Sequence, residues 1–309
     1  MANHNRQKNL FSYIKTGLRS LLLIKWINRP LIWFLKQTPL AKNFRARIPV
    51  RDQHAKFRLP NNDHINLFNA ERCDVARELF WHNSQLQSPS DKLSLDIALT
   101  LAKGADIYLD VGAYTGLYAM AMSKLYPNLV SYAYEIVPEN YAVLVSNIMR
   151  NNLIETVHPR ICGIASEPGN MKIPYSVNDG VMASSVALDW DFTDGVNIPL
   201  DTIDNLHSDF KGKMAIKIDV EGFEADVLAG AKETIANFKP DIVCEVLTRA
   251  TSMEAIQKQL GPLRYNFFHI TNNGLKHSDT IKPKKHERDW LFTTRSEQEL
   301  KALNIAFVN

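Results

Sequence analysis

The sequence predicts an α/β fold built on an open, mainly parallel sheet, and three segments carry that prediction. Ile216, Ile218 and Val220 alternate with Lys217 and Asp219 in a strand pattern. The pattern breaks at Gly222 and gives way to helical spacing at Val227, Leu228 and Ala231. Ile107-Tyr108-Leu109 leads into the turn Asp110-Val111-Gly112-Ala113-Tyr114-Thr115-Gly116, and an apolar helix follows through Leu117, Met120, Ala121 and Leu125. Val130 to Tyr134 reads as a short strand ending at Glu135, and Pro138 opens a helix carrying Tyr141, Leu144, Val145 and Ile148. Strands alternating with helices build a parallel sheet, and such sheets bind ligands beyond the carboxyl ends of their strands. Asp110, Glu135 and the pair Asp219/Glu221 stand at three such ends. Carboxylates there are costly to hold without water, a partner or a chemical role.

Three regions are expected: an arm over 1–50, a cap over 51–104, and the sheet domain over 105–309. The arm holds ten Lys or Arg and no Asp or Glu, within a chain whose net charge is only +3. The remaining 26 basic and 33 acidic residues leave the rest at −7. The arm also carries Phe11, Tyr13, Trp26, Trp33, Phe34 and Phe44. On a helix, Leu10, Phe11, Ile14, Leu18, Leu21 and Leu22 share one arc, with Lys8, Ser12, Lys15 and Arg19 opposite and Lys25 intruding. Basic, aromatic and amphipathic together fit a helix lying on an anionic membrane surface. A helix docked on the sheet domain and a mitochondrial transit peptide fit the same residues. Arg19, Lys25, Arg29 and Lys36 interrupt every apolar run before it reaches a spanning length of about 18 residues. The run Leu21 to Ile24 is too short for a signal peptide.

In the cap, Ala55–Leu59 and His64–Phe68 alternate around Pro60-Asn61-Asn62-Asp63, a hairpin signal. Helices follow near Asp74–Trp81 and Asp91–Lys103. Residues 176–199 are rich in Ser, Asn, Asp and Gly and read as a long loop over the site, between the third and fourth strands of the sheet. Ile242–Val246 is the fifth strand; Asn266–Ile270 and Asp289–Thr294 are the last two of seven. Between them Lys282, Lys284, Lys285, His286 and Arg288 form a basic patch, a solvated turn or a contact for an anionic acceptor.

A glycine turn between strand and helix is a usual nucleotide-binding element. Here the dinucleotide pattern G-x-G-x-x-G fails, because Asp110 and Thr115 hold its first and third glycine positions. An acid opening D-x-G-x-x-x-G suits a cofactor bearing a positive ammonium, such as S-adenosylmethionine. Glu135, closing the second strand, suits a ribose diol.

The segments DVGAYTGLYAM, YAYEIVPENYAVLVSNIMRNN, IPLDTID, IKIDVEGFEADVLAGA and DIVCEV resemble the FkbM-type S-adenosylmethionine-dependent methyltransferases. The resemblance runs from about Ala105 to Glu245, with weaker echoes to Thr294. It implies a class I methyltransferase (Rossmann-like) sheet of seven strands with an antiparallel last strand, here with an N-terminal helical and hairpin extension. It implies S-adenosylmethionine as methyl donor and a hydroxyl as acceptor. By match of motif, Asp110, Gly112, Ala113 and Gly116 would cradle the methionine part and Glu135 the ribose, while Cys162 and Gly163 would lie near the adenine. The family pattern has Asn where this chain has Tyr114, which would either cover the methionine carboxylate or narrow the site.

The expected activity is O-methylation of a sugar, glycolipid or secondary metabolite. Asp219 is the first candidate for the base that takes the hydroxyl proton, followed by Glu221 and Glu245. Asp219 and Glu221 could together hold a divalent cation with waters, but no metal is assigned, because no third carboxylate stands at a clear spacing and His158, His207, His269 and His286 show no ligand spacing. The alternative is a membrane-recruited, non-catalytic protein on the same fold. Cys73, Cys162 and Cys244 are dispersed, which fits buried thiols in a reducing, cytoplasmic setting with the arm at a membrane surface. No feature points to specific nucleic-acid binding.

Overall fold

A computed structural model of the chain describes residues 17–18, 21–22, 24–37, 48, 50–51, 54–71, 73–173, 195–247, 250–282, 284 and 286–308. The amphipathic helix expected around Leu10–Leu22 lies largely outside these residues, as do most of the expected loop over 176–199 and Lys285.

Helix α1 (Lys25–Gln37) precedes a hairpin of β1 (Ala55–Arg58) and β2 (His64–Leu67), paired from Ala55↔Leu67 to Arg58↔His64. Helices α2 (Asp74–Trp81) and α3 (Pro89–Leu101) follow. Cys73 caps α2, its sulfur accepting the Ala76 N–H at 3.3 Å, and Ser88 caps α3 by accepting from Asp91 N–H. The cap shares one core with the sheet: Ile65, Leu67, Leu79 and Leu95 are buried in the same cluster as Tyr108, Met120 and Leu144. Asn147 and Asn151 stitch it in place, their Oδ1 atoms accepting the Phe68 and Asn66 N–H groups at 2.9 Å each.

The sheet begins with β3 (Ile107–Val111), α4 (Leu117–Leu125), β4 (Val130–Glu135), α5 (Pro138–Arg150) and β5 (Val157–Ile161). A small second sheet follows, from β6 (Gly163–Ile164), β7 (Gly169–Ile173) and β8 (Val196–Asp201), ordered β6-β8-β7. Here the loop expectation is corrected at one end. Val196–Pro199 is strand, because Val196 and Ile198 pair with Ile173 and Met171 across an apolar seam. After a short turn of helix, α6 (Ile203–Leu206), come β9 (Met214–Ile218), α7 (Glu224–Ala229), α8 (Lys232–Phe238), β10 (Asp241–Glu245) and α9 (Ala250–Leu260). The chain ends in β11 (Asn266–Ile270), β12 (Leu275–His277), β13 (Asp289–Thr293) and α10 (Glu297–Ala302).

The main sheet has the order β12-β11-β13-β10-β9-β3-β4-β5. Strands β10, β9, β3, β4 and β5 are parallel, and β13 runs antiparallel to both of its neighbours. This is the expected Rossmann-like sheet with one strand more than seven. The extra strand, β12, spans three residues, too few for alternation to announce it. Both faces of β3 and β9 are buried, as central parallel strands require. Because β9, β3 and β4 are adjacent, Asp219, Asp110 and Glu135 end neighbouring strands, which is what brings a site together. No helix among the described residues is long and apolar enough to cross a membrane.

Candidate functional site

The turn after β3 is pressed onto the end of β9. Gly112 has φ +83°, and a Cβ built there would stand 1.8 Å from the Asp219 carbonyl oxygen. Asp219 N–H donates to Val111 O at 2.9 Å, while Gly112 and Ala113 N–H both donate to Tyr134 O at the end of β4. Three strand ends are thereby pinned to one another. Tyr114 also has a positive φ, +50°, a conformation Asn tolerates better than an aromatic residue. Its N–H donates to Glu135 Oε2 at 2.8 Å, and its hydroxyl accepts the Asp74 N–H at 3.3 Å. The Tyr114 hydroxyl is therefore occupied at the start of α2.

Glu135 is buried, and its second oxygen accepts the Val137 N–H at 2.8 Å. Burial pushes its pKa up to about 7, against the two N–H groups that favour the charge. Asp110 lies beneath the turn. Its Oδ2 accepts the Ala119 N–H at 3.0 Å in the first turn of α4, and its Oδ1 has no hydrogen-bond partner among the described residues. Burial raises it to about 6, opposed by the charge on Lys217.

A cleft of about 320 Å³ opens over these strand ends. Of the expected cofactor residues, Gly112, Tyr114, Glu135, Cys162 and Gly163 line it; Asp110, Ala113 and Gly116 lie behind it and shape the turn. Ile136, Val137, Ile164 and Leu200 supply apolar walls. Among the described residues that line the cleft are six acids (Asp74, Glu135, Asp219, Glu221, Asp226 and Glu245) and no Lys, Arg or His. Such a lining suits a ligand with positive charge and repels a pyrophosphate.

A second cavity, about 680 Å³, meets the first at Val75, Asp219 and Glu245. Its other walls include Glu78, Ser88, Asp91, Tyr118, Lys217, Asn272, His286, Arg288 and Asp289. Lys217 Nζ lies 2.9 Å from Asp219 Oδ2 and 4.8 Å from the Tyr118 ring centre. Burial opposes the charge on Lys217, but Asp219 and Asp110 more than offset it and hold its pKa above the usual lysine value. Burial alone would raise Asp219; Lys217 outweighs it, so Asp219 stays ionised. Glu245 is raised to about 9 by burial and by the charge of Asp219. Burial and the neighbouring charge thus favour the protonated form of Glu245, and Lys217 favours the ionised form of Asp219. Arg288 reaches Glu245 Oε1 at 3.4 Å from a more exposed position. Glu221, at φ +55°, brings a third carboxylate, and one oxygen each of Asp219, Glu221 and Glu245 lies within 4.8 Å of the others. Lys217 already supplies a positive charge to this group.

A family model described as "Methyltransferase FkbM domain" matches residues 110–272, more than half of the chain. The chain belongs to the FkbM methyltransferase family. A stretch of 70 residues is 33% identical to the methyltransferase sdnD of Sordaria araneosa; it covers 23% of this chain and 27% of that relative, about a quarter of its length. Among solved structures, the chain is similar to a methyltransferase FkbM from Methylobacillus flagellatus KT, at 17% identity and a TM-score of 0.43, covering 61% of this chain and 43% of the other. It is also similar to a SAM-dependent O-methyltransferase from Thermotoga maritima, at 11% identity and a TM-score of 0.38, covering 80% of this chain and 94% of the other.

Sequence reasoning missed several residues that this FkbM-family chain places at the site. Lys217 reads in the sequence as the polar partner in a strand, although a lysine inside a strand buried on both faces signals a charge partner. Its side chain falls on the same face as Asp219, two residues on. Arg288 and His286 are not among those missed: they belong to the basic patch read as a solvated turn or an acceptor contact, and both line the second cavity, whereas Lys284 pairs with Glu287 at 3.4 Å. Asp289 and Tyr118 had no local signal, since only the pairing of β13 beside β10 brings Asp289 opposite Glu245.

Proposed function

We propose that the chain transfers a methyl group from S-adenosylmethionine to a hydroxyl of a polyhydroxylated acceptor, a sugar or a related metabolite. The observation that carries this reading is the cleft, whose described lining holds six acids and no Lys, Arg or His, opening onto a larger polar cavity at Asp219 and Glu245. When bound, S-adenosylmethionine supplies a methyl made electrophilic by its sulfonium. Glu135 would hold the ribose diol, using lone pairs left over from its two backbone N–H bonds. Ile136, Val137, Cys162 and Gly163 would flank the adenine. The acidic lining favours the cofactor's ammonium and sulfonium and disfavours NAD.

The second cavity would hold the acceptor. Its carboxylates, Ser88 and Asn272 offer hydrogen bonds in many directions, as a polyol needs. Asp219 stands where the two cavities meet, and it is our candidate for the group that orients the hydroxyl and takes its proton. Lys217 keeps Asp219 ionised and ready to accept. Glu245, pushed toward its protonated form by burial and by Asp219, can donate to the acceptor or to Asp219, and Glu221 is a further acceptor of hydrogen bonds beside them.

The test is methyl transfer from labelled S-adenosylmethionine to a panel of sugars and aliphatic alcohols. Asp219→Asn preserves shape and removes the base, so turnover should fall roughly 10²–10⁴-fold with little change in cofactor binding. An equally active Asn variant would remove Asp219 from this role.

A further inference from the structure

Helix α1 presents two opposite faces with different partners. One face is docked: Asn28 is fully buried and Ile32 is 7% exposed, with Leu31 and Leu35 packed against the main core. Asn28 Nδ2 donates to Leu22 O at 2.6 Å, and its Oδ1 accepts the Arg51 N–H at 2.9 Å. Lys36 Nζ lies 3.9 Å above the Phe80 ring of α2. At 100° per residue, the opposite face carries Trp26, Trp33, Pro30, Phe34 and Ile27. Trp26 is 88% exposed, Trp33 67% and Phe34 58%. Leu18, Leu21 and Ile24, which precede α1, are also exposed. Lys25, Arg29 and Lys36 form a row along one flank of that face.

Burying Asn28 and Ile32 fixes the helix, so the aromatic face is held outward by the fold. Exposed tryptophans beside a basic row match the chemistry of a membrane interface, where indole rings sit at headgroup level and cations meet anionic lipid. The charge distribution points the same way: ten basic and no acidic residues lie within 1–50, while the rest of the chain is net −7. We infer that the Trp26/Trp33/Phe34 face of α1 docks on an anionic lipid bilayer. Lys36 at the end of α1 lies over Phe80 of α2, the helix whose Val75 and Glu78 wall the second cavity. The membrane would therefore lie near the proposed acceptor site; that extension rests on the methyltransferase reading, whereas the docking claim does not.

The test is co-sedimentation of the full chain with phosphatidylcholine vesicles, with and without phosphatidylserine. The triple variant Trp26→Ala/Trp33→Ala/Phe34→Ala and the double variant Lys25→Glu/Arg29→Glu change exposed positions, and thermal melts should match the parent. The parent should partition at least about tenfold more onto vesicles containing phosphatidylserine, since each basic residue near the surface is worth about fivefold. The triple variant should lose about tenfold or more at every salt concentration, because apolar insertion is not screened. The charge-reversed variant should lose its preference for phosphatidylserine. A parent that stays in the supernatant overturns the inference, as does a triple variant that sediments like the parent. So does a vesicle-free self-association that the triple variant abolishes, since the face would then be a contact between copies.

Discussion

Replacing Gly112 by Ala tests the contact on which the site is built. The added Cβ would lie 1.8 Å from the Asp219 carbonyl oxygen and 2.7 Å from its carbon. An ordinary C···O contact needs about 3.3 Å, so the two strand ends must part by roughly 1.5 Å. The obstacle is backbone, which cannot swing aside as a flexible side chain can. Alanine at φ +83° adds about 1–2 kcal/mol of left-handed strain, and the overpacking adds about 1–3 kcal/mol. Together these give about 2–5 kcal/mol, measurable by urea unfolding. If the variant folds, a displacement near 1 Å between the cofactor turn and Asp219 should lower turnover by about 10²-fold. Gly169→Ala is the control, since its Cβ would meet nothing within 4 Å and its φ is not in the left-handed range; stability should hold or rise slightly. If Gly112→Ala is as stable and as active as Gly169→Ala, the turn does not press on β9 as described.

Two further perturbations address the charge network. Lys217→Met removes the cation beside Asp219 and should cost about 1–3 kcal/mol, less than a fully enclosed pair because the Asp219 side chain is 36% exposed. Adding Asp219→Asn to that variant should restore much of the loss in thermal unfolding, and a single variant without cost would refute the pairing. The pH dependence has a definite sign. The folded chain keeps protons on Glu245 up to about 9 and on Asp289 up to about 7, whereas the unfolded chain releases both near pH 4. Their stabilisation is complete below about pH 4 and declines as pH rises toward 9. The melting temperature of the parent relative to Glu245→Gln should therefore fall between about pH 5 and pH 9 and level off above that; a flat difference would show that Glu245 holds no extra proton.

The sequence made most of the frame legible, because β3, β4, β9, β10, β11 and β13 each carry enough alternating or continuous apolar residues to be seen locally. Helix α2 was legible from end to end at Asp74–Trp81. What escaped was what depends on pairing over distance. Val196–Pro199 looks like loop because Asn197 and Pro199 interrupt it, yet β7 supplies the partner that makes it strand. The carboxylates at the strand ends could be read one by one, but not their division of labour. Burial raises both Asp219 and Glu245; Lys217 outweighs it at Asp219, whereas the charge of Asp219 adds to it at Glu245. Asp110 shows another limit: its motif position places it at the cofactor turn, but not that one of its oxygens accepts the Ala119 N–H while the other has no partner among the described residues.

The most direct measurement is calorimetric titration of the chain with S-adenosylhomocysteine and, separately, with NAD. The acid-lined cleft predicts that S-adenosylhomocysteine binds and NAD does not. Glu135→Ala should weaken S-adenosylhomocysteine binding by about 2–4 kcal/mol, roughly 30- to 1000-fold, through loss of charge-assisted bonds to the ribose. Binding of NAD in place of S-adenosylhomocysteine, or undiminished binding by Glu135→Ala, would contradict the assignment of the cleft.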